Sequence, residues 1–387
     1  MTTMTDGVHV PDDLEDRIER YVIYPDGSGQ DPYADYARLR AIAPVCRVRT
    51  GTWIVTGHRE YMQLVRDKRI SRAAAAKTEM GDIAKQPEEL HEALSGFAAM
   101  LINQDDPDHL RIRKLIRQVF LPASANSWLP RARAVAKDAV DHVMGLARFD
   151  FLEHVAYVLP ETVMTDLTGI PHTDRHLWAD WSRQIVRFSR ATGDRAPDLA
   201  GTQQAMKSIY DFMAALVDRR RASNALDGDD IVSVLMRAEE DGDKLSRNEL
   251  VGATVMLAQA AHETVANLTG NAMFHLLQRP HLLKALHDNP ALIAAAIEEM
   301  LRFESSSHTL LPRMAIDDIE IRDVTIRAGE KVMFLTAAAN RDPAAFSDPD
   351  EIRFDRPETE RQIAFGGGPH SCLGQNLARI ELTAIFE

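Results

Sequence analysis

Phe365-Gly366-Gly367-Gly368-Pro369-His370-Ser371-Cys372-Leu373-Gly374 carries a glycine-rich loop to one cysteine at what reads as a helix N-terminus. Backbone N–H groups of a first helical turn and the positive end of the helix dipole favour a thiolate there. The glycines let the backbone approach something large and flat. Such a thiolate can ligate iron. Plainer readings stand beside this one: a lone cysteine is often a small buried hydrophobe, and a glycine-rich loop is often only a turn. Zinc is a poor fit, because Cys46 is the only other cysteine and His370 alone cannot complete a tetrahedral site. A cysteine-histidine hydrolase is compatible with the same residues.

Composition bounds the rest. The chain has 387 residues, 45% hydrophobic and 27% charged, enough to bury a sizeable core around a cofactor. No Ser/Gly/Pro-rich linker divides it, so residues 1–387 read as a single domain. Two cysteines exclude a disulfide scaffold and fit a reducing cytoplasm. No apolar run reaches the ~18 residues a membrane span needs, and the N-terminus is acidic rather than signal-like. A soluble, cytoplasmic protein without a membrane role is expected. A formal net charge of -13 argues against nucleic acid as a partner.

Helical spacing from Asp31 to Ala43 gives way after Pro44 to two strands, Val45–Val48 and Trp53–Thr56, turning at Gly51. A helix follows from Glu60 to Lys68, then an alanine-rich stretch from Ser71 to Met100 without a firm period, expected to be a mobile loop with short helices. Amphipathic helices fill Ala136–Leu146, Val158–Leu167, Leu177–Arg187, Thr202–Arg220 and Asp230–Met236. Between Arg187 and Gly201 lies a Gly/Pro/Asp-containing connection. Ser246 and Glu249 form a capping box, behind which an apolar, proline-free pattern runs from Leu250 to Leu277. Short alternating strands, Ile319–Ile321 and Val324–Ile326, come late. The expected class is mainly α with a small β region (α+β).

Three further clusters stand out. On the Asp105–Phe120 helix, His109 and Arg113 share a face at i, i+4; a solvated basic helix would look the same. At the centre of the long helix is Ala260-Ala261-His262-Glu263-Thr264-Val265. Its His-Glu pair invites a metalloprotease reading, but H-E-x-x-H fails because position 266 is alanine. Glu299 and Arg302 sit at i, i+3, which on a surface would be a pair worth under ~1 kcal/mol.

Taken together, in order, these motifs resemble those of the cytochromes P-450, the haem-thiolate monooxygenases: F-G-x-G-x-H/R-x-C-x-G, H-x-x-x-R, A/G-G-x-D/E-T-T/S and E-x-x-R. The resemblance spans Asp31 to Glu387. It implies haem b with Cys372 as axial iron ligand, cradled by Phe365, Gly366, His370, Gly374 and Ala260, with His109, Arg113 and Arg313 on the propionates. It implies that Glu263 and Thr264 serve oxygen activation, an acid beside an alcohol, and that Glu299 and Arg302 form a structural ion network with Arg356. Ala261 replaces the family's usual glycine and Val265 its second hydroxyl residue. The acid-alcohol pair argues against a peroxide-driven peroxygenase.

The activity implied is insertion of one oxygen atom from O2 into a small hydrophobic substrate, by hydroxylation or epoxidation, as in bacterial secondary metabolism. Electrons would come from NAD(P)H through a ferredoxin reductase and a ferredoxin, docking where Arg111, Lys114 and Arg117 cluster. A monomer is expected. Met256, Leu257, Ala260 and Leu310 are expected to line the pocket, lidded by the Arg187–Gly201 connection. His308 reads as a polar anchor or as a solvated loop histidine. The chain stops at Glu387, one helix after Cys372, whereas the family continues through further strands. The C-terminal end thus reads as cut short, and a non-catalytic haem-binding remnant is the alternative.

Overall fold

A computed structural model describes residues 10–23, 31–171, 173–190, 199–223, 228, 230–240 and 245–387. The chain forms two compact units, each built from separate stretches: Met1–Gly81, Arg187–Asp198 and Leu301–Ser371 in one, and Asp82–Val186, Leu199–Met300 and Cys372–Glu387 in the other. The two interleave along the sequence, which is why no linker marks a boundary.

The first unit holds the strands: β1 (Val45–Arg47), β2 (Trp53–Val55), β3 (Ile70–Ser71), β4 (Arg313–Ala315), β5 (Ile319–Ile321), β6 (Val324–Ile326) and β7 (Lys331–Phe334). Five of them make a sheet in the order β1-β2-β7-β4-β3, and β5-β6 is a separate hairpin. β1 and β2 pair antiparallel, Arg47 opposite Trp53, and Gly51 supplies the positive φ of +82° that their turn requires. Alternation sends Val45, Trp53, Val55, Val332 and Phe334 to one core and Cys46, Ile54 and Met333 to another. The sheet is therefore buried on both faces, and Cys46 is a core residue, as its place on a strand suggests. In the second core, Tyr36 and Leu39 of the Tyr33–Ile42 helix pack with Cys46 and Ile54.

The second unit is helical. Its spine is Arg247–Leu277, 31 residues opened by the Ser246–Glu249 capping box, about 46 Å long at 1.5 Å per residue. Helices Val158–Thr168, Leu199–Ser223, His91–Ala98 and Gln375–Phe386 pack against it. Their apolar stripes close one core that includes Leu159, Val163, Met213, Val217, Leu250, Val255 and Leu377. No described helix is long and apolar enough to cross a membrane.

The stretch expected to be a mobile loop with short helices does hold short helices, and they fill most of it. Arg72–Met80 is a nine-residue helix with Ser71 as N-cap, accepting from the Ala74 N–H, and His91–Ala98 is another. Alanine on every side of the first erases the amphipathic period while favouring the helix by propensity. Residues 191–198 of the expected lid lie outside the described residues.

Candidate active site

The cysteine loop needs its glycines. Gly366 and Gly368 have φ of +69° and +66°, and a Cβ on Gly368 would stand 2.5 Å from the Val65 carbonyl oxygen. Beyond the loop Cys372 is accessible, Gly374 precedes the Gln375–Phe386 helix, and Phe365 and His370 are half-buried. The N–H groups of Gly374 and Gln375 and the charges of Arg113 and Arg379 all favour the thiolate. Desolvation by the surrounding protein outweighs them and holds the thiol above its ordinary value. The loop lowers the cost of the anion, and desolvation opposes it.

On the Asp108–Ile116 helix His109 and Arg113 share a face as expected. His109 is 2% exposed, its Nδ1 is 3.3 Å from Asp106 Oδ1, and burial pushes its pKa down. At neutral pH it is a neutral hydrogen-bonding ring rather than a cation. Arg113 senses the Cys372 sulfur electrostatically. Arg111 does not point freely outward: it is paired with Glu249. That carboxylate also accepts from the Ser246 N–H, so one capping residue holds both. Lys114 and Arg117 are exposed.

Arg313 sits on β4, 5% exposed, with its guanidinium 5.6 Å from the Phe334 ring centre. It also acts on Tyr61, whose phenol burial pushes up to about 12 against a Thr336 hydrogen bond and the Arg313 charge. Leu310 packs over Gly366. His308 is half-buried and hydrogen-bonded rather than free in solvent. Its Nε2 lies 3.1 Å from Glu304 Oε1 and its Nδ1 3.4 Å from the Tyr36 hydroxyl.

The long helix has one open face. Ala260 and Thr264 are exposed, one turn apart, with Met256 and Glu263 half-buried beside them; the Thr264 hydroxyl donates to the Ala260 carbonyl at 3.0 Å. Leu257, expected in the pocket, is buried in the helical core, because each helical step turns about 100°. Val265 is buried for the same reason, so a hydroxyl at 265 would not have reached that face.

Glu299 and Arg302 are fully buried, and Arg356 nearly so. Arg302 donates to the carbonyls of Asn340 (3.0 Å), Pro349 (2.7 Å) and Glu351 (3.0 Å). Arg356 donates to those of Ser347, Asp348 (3.1 Å) and Glu351 (2.8 Å). The two arginines meet on one carbonyl, which removes the surface-pair reading of Glu299 and Arg302.

Sequence reasoning missed Glu381 on the cysteine helix. It lies on the inward row Leu377–Glu381–Ala384, 1% exposed, and burial alone pushes its carboxyl well above the usual range. Above pH ~4.5 the unfolded chain loses this proton while the folded chain keeps it. Stability should therefore fall as pH rises, by about 1.4 kcal/mol per unit while only the folded state is protonated. Glu381→Gln lacks this dependence. Urea midpoints at pH 5 and pH 7 should show the variant gaining on the wild type as pH rises; parallel profiles would mean the carboxyl is ionised in the fold.

The sequence profile described as Cytochrome P450 matches residues 52–387. Cytochrome P450 107B1 of Saccharopolyspora erythraea is 33% identical over 371 residues, covering 92% of this chain and 86% of the relative. The mycinamicin IV hydroxylase/epoxidase of Micromonospora griseorubida is 34% identical over 358 residues, covering 91% and 85%. Among solved structures, P450BioI in complex with acyl carrier protein ligated to hexadec-9Z-enoic acid superposes with a TM-score of 0.81 at 31% identity, covering 92% of this chain and 89% of that one.

Proposed function

Because this chain belongs to the cytochrome P450 family, and so to the haem-thiolate monooxygenases, we propose that Cys372 is the axial ligand of haem b. Phe365, Gly366, His370, Gly374 and Ala260 would cradle the ring, and His109, Arg113 and Arg313 would hold its propionates. The observation that carries this reading is an accessible sulfur to which two backbone N–H groups and two arginines already offer stabilisation as an anion. The same unit holds a small-residue helix face, Ala260 and Thr264, against which a flat group can lie. A buried, neutral His109 and a buried Arg313 suit carboxylates by hydrogen bond and by charge. Bound haem would supply the activation of O2 from which one atom passes to substrate.

The chain's own residues supply the rest. Glu263 and Thr264 would hold and move protons on the open face, and Met256 and Ala260 would give the substrate an apolar wall, with Leu257 behind it in the core. The relatives include the mycinamicin IV hydroxylase/epoxidase, which favours a small hydrophobic substrate and either hydroxylation or epoxidation. Electrons would come from NAD(P)H through a reductase and an acidic ferredoxin. With Arg111 engaged by Glu249, the exposed Lys114 and Arg117 are the docking charges, and the protein is read as a cytoplasmic monomer.

Thr264→Ala tests the catalytic assignment. With a ferredoxin and its reductase, the variant should still consume NAD(P)H but release more hydrogen peroxide, product per NAD(P)H falling by roughly tenfold or more. In the same assay reduction should slow as salt is added. Unchanged coupling would remove Thr264 from the proton supply. A wild type without turnover, given any donor and a broad ligand screen, would leave a haem-binding protein that does not catalyse.

A further inference from the structure

We infer that Asn340 is a positioning residue for the cysteine loop, the point at which the buried arginine framework is tied to the backbone that leads to Cys372. This rests on the reading of Cys372 as the iron ligand. Asn340 is fully buried, directly after the short Thr336–Ala339 helix. Its backbone carbonyl accepts from Arg302 at 3.0 Å. Its side chain reaches two other segments: Nδ2 donates to the Ser305 hydroxyl at 3.1 Å, and Oδ1 accepts from the Ile363 N–H at 2.8 Å. Ile363 then turns the chain into the loop, its own carbonyl accepting from the Gly366 N–H at 2.8 Å. A continuous set of hydrogen bonds thus runs from Arg302 through Asn340 and Ile363 to the first glycine of the loop.

The chemistry singles out an amide. A backbone N–H can only donate, so the side-chain oxygen must face Ile363, and the nitrogen is left for Ser305, whose hydroxyl itself donates to the Leu301 carbonyl at 2.8 Å. Leucine has similar bulk but leaves the buried Ile363 N–H without an acceptor. Aspartate keeps that acceptor and, if protonated by burial, the donor as well. Ser305→Ala removes only the second arm.

In the reduced carbonyl complex, Asn340→Leu should convert from the strongly red-shifted Soret form to the form lacking thiolate ligation on the order of tenfold faster than the wild type. Asn340→Asp and Ser305→Ala should stay within about twofold. Urea midpoints measured in parallel separate this from general loosening. A leucine variant converting no faster than its stability loss accounts for, or an aspartate variant as fast as the leucine one, would overturn the inference. Should Asn340→Leu fail to fold, hydrogen exchange on the wild type decides: the Ile363 and Gly366 amides should be protected like those of β2 and β7, and exchange at exposed-loop rates would equally overturn it. The exchange of these amides can be read whether or not Cys372 ligates iron. If Cys372 proves not to be the ligand, the framework would survive while its role in holding the ligand falls.

Discussion

Replacing Cys372 by alanine is expected to abolish the strongly red-shifted Soret band that the reduced carbonyl complex of the wild type should show. Cys372 is accessible, yet desolvation by its protein surroundings holds its thiol above the ordinary value, despite two N–H groups and two arginines that favour the anion. Iron changes that balance, because a coordinating thiol is deprotonated outright. Haem uptake should therefore release a proton, and affinity for ferric haem should rise by up to about tenfold per pH unit below the thiol pKa. Alanine removes both the ligand and the proton. Its haem uptake should be weak and free of this pH dependence, measured by titrating apoprotein between pH 6 and pH 8. A protein that binds no haem, or a variant spectrum identical to the wild type, would return Cys372 to the cysteine-histidine hydrolase reading.

What the sequence made legible is what is encoded locally. The capping box at Ser246 and Glu249 lies within four residues, the Gly51 turn within seven of both its strands, and the cysteine loop announces itself through glycines whose positive φ and contact with Val65 admit no side chain. The hidden features depend on partners far along the chain. Arg111 reads as one charge of a basic cluster until Glu249 is brought beside it. His308 looks like an ordinary loop histidine until Tyr36 and Glu304 enclose it. Glu381 resembles any helical glutamate, and only the packing of its helix turns it inward. The Arg72–Met80 helix was obscured for the opposite reason: its alanines satisfy the helix so evenly that no face is marked.

Arg302→Ala should be among the most destabilising single changes available to this chain. The guanidinium is fully buried and serves three backbone carbonyls from separate turns, those of Asn340, Pro349 and Glu351. It also lies 5.4 Å from the Phe346 ring centre. Alanine takes the guanidinium donor from the Asn340 and Pro349 carbonyls and leaves the Glu351 carbonyl to Arg356 alone. Breaking a buried charge network in this way costs about 3–5 kcal/mol, against a total stability of roughly 5–15 kcal/mol. Lysine keeps the charge, but its single ammonium cannot reach three carbonyls in the spread that the planar fork spans, so Arg302→Lys should recover only part of the loss. The loss should also reach the haem site, since the Asn340 carbonyl that Arg302 holds belongs to the residue whose side chain holds Ile363. At temperatures where the variant is still folded, haem should pass to an excess of apomyoglobin faster than from the wild type. Urea unfolding within ~1 kcal/mol of the wild type would place Arg302 among ordinary helical arginines, and an unchanged rate of haem transfer would cut the connection from this network to the cysteine loop.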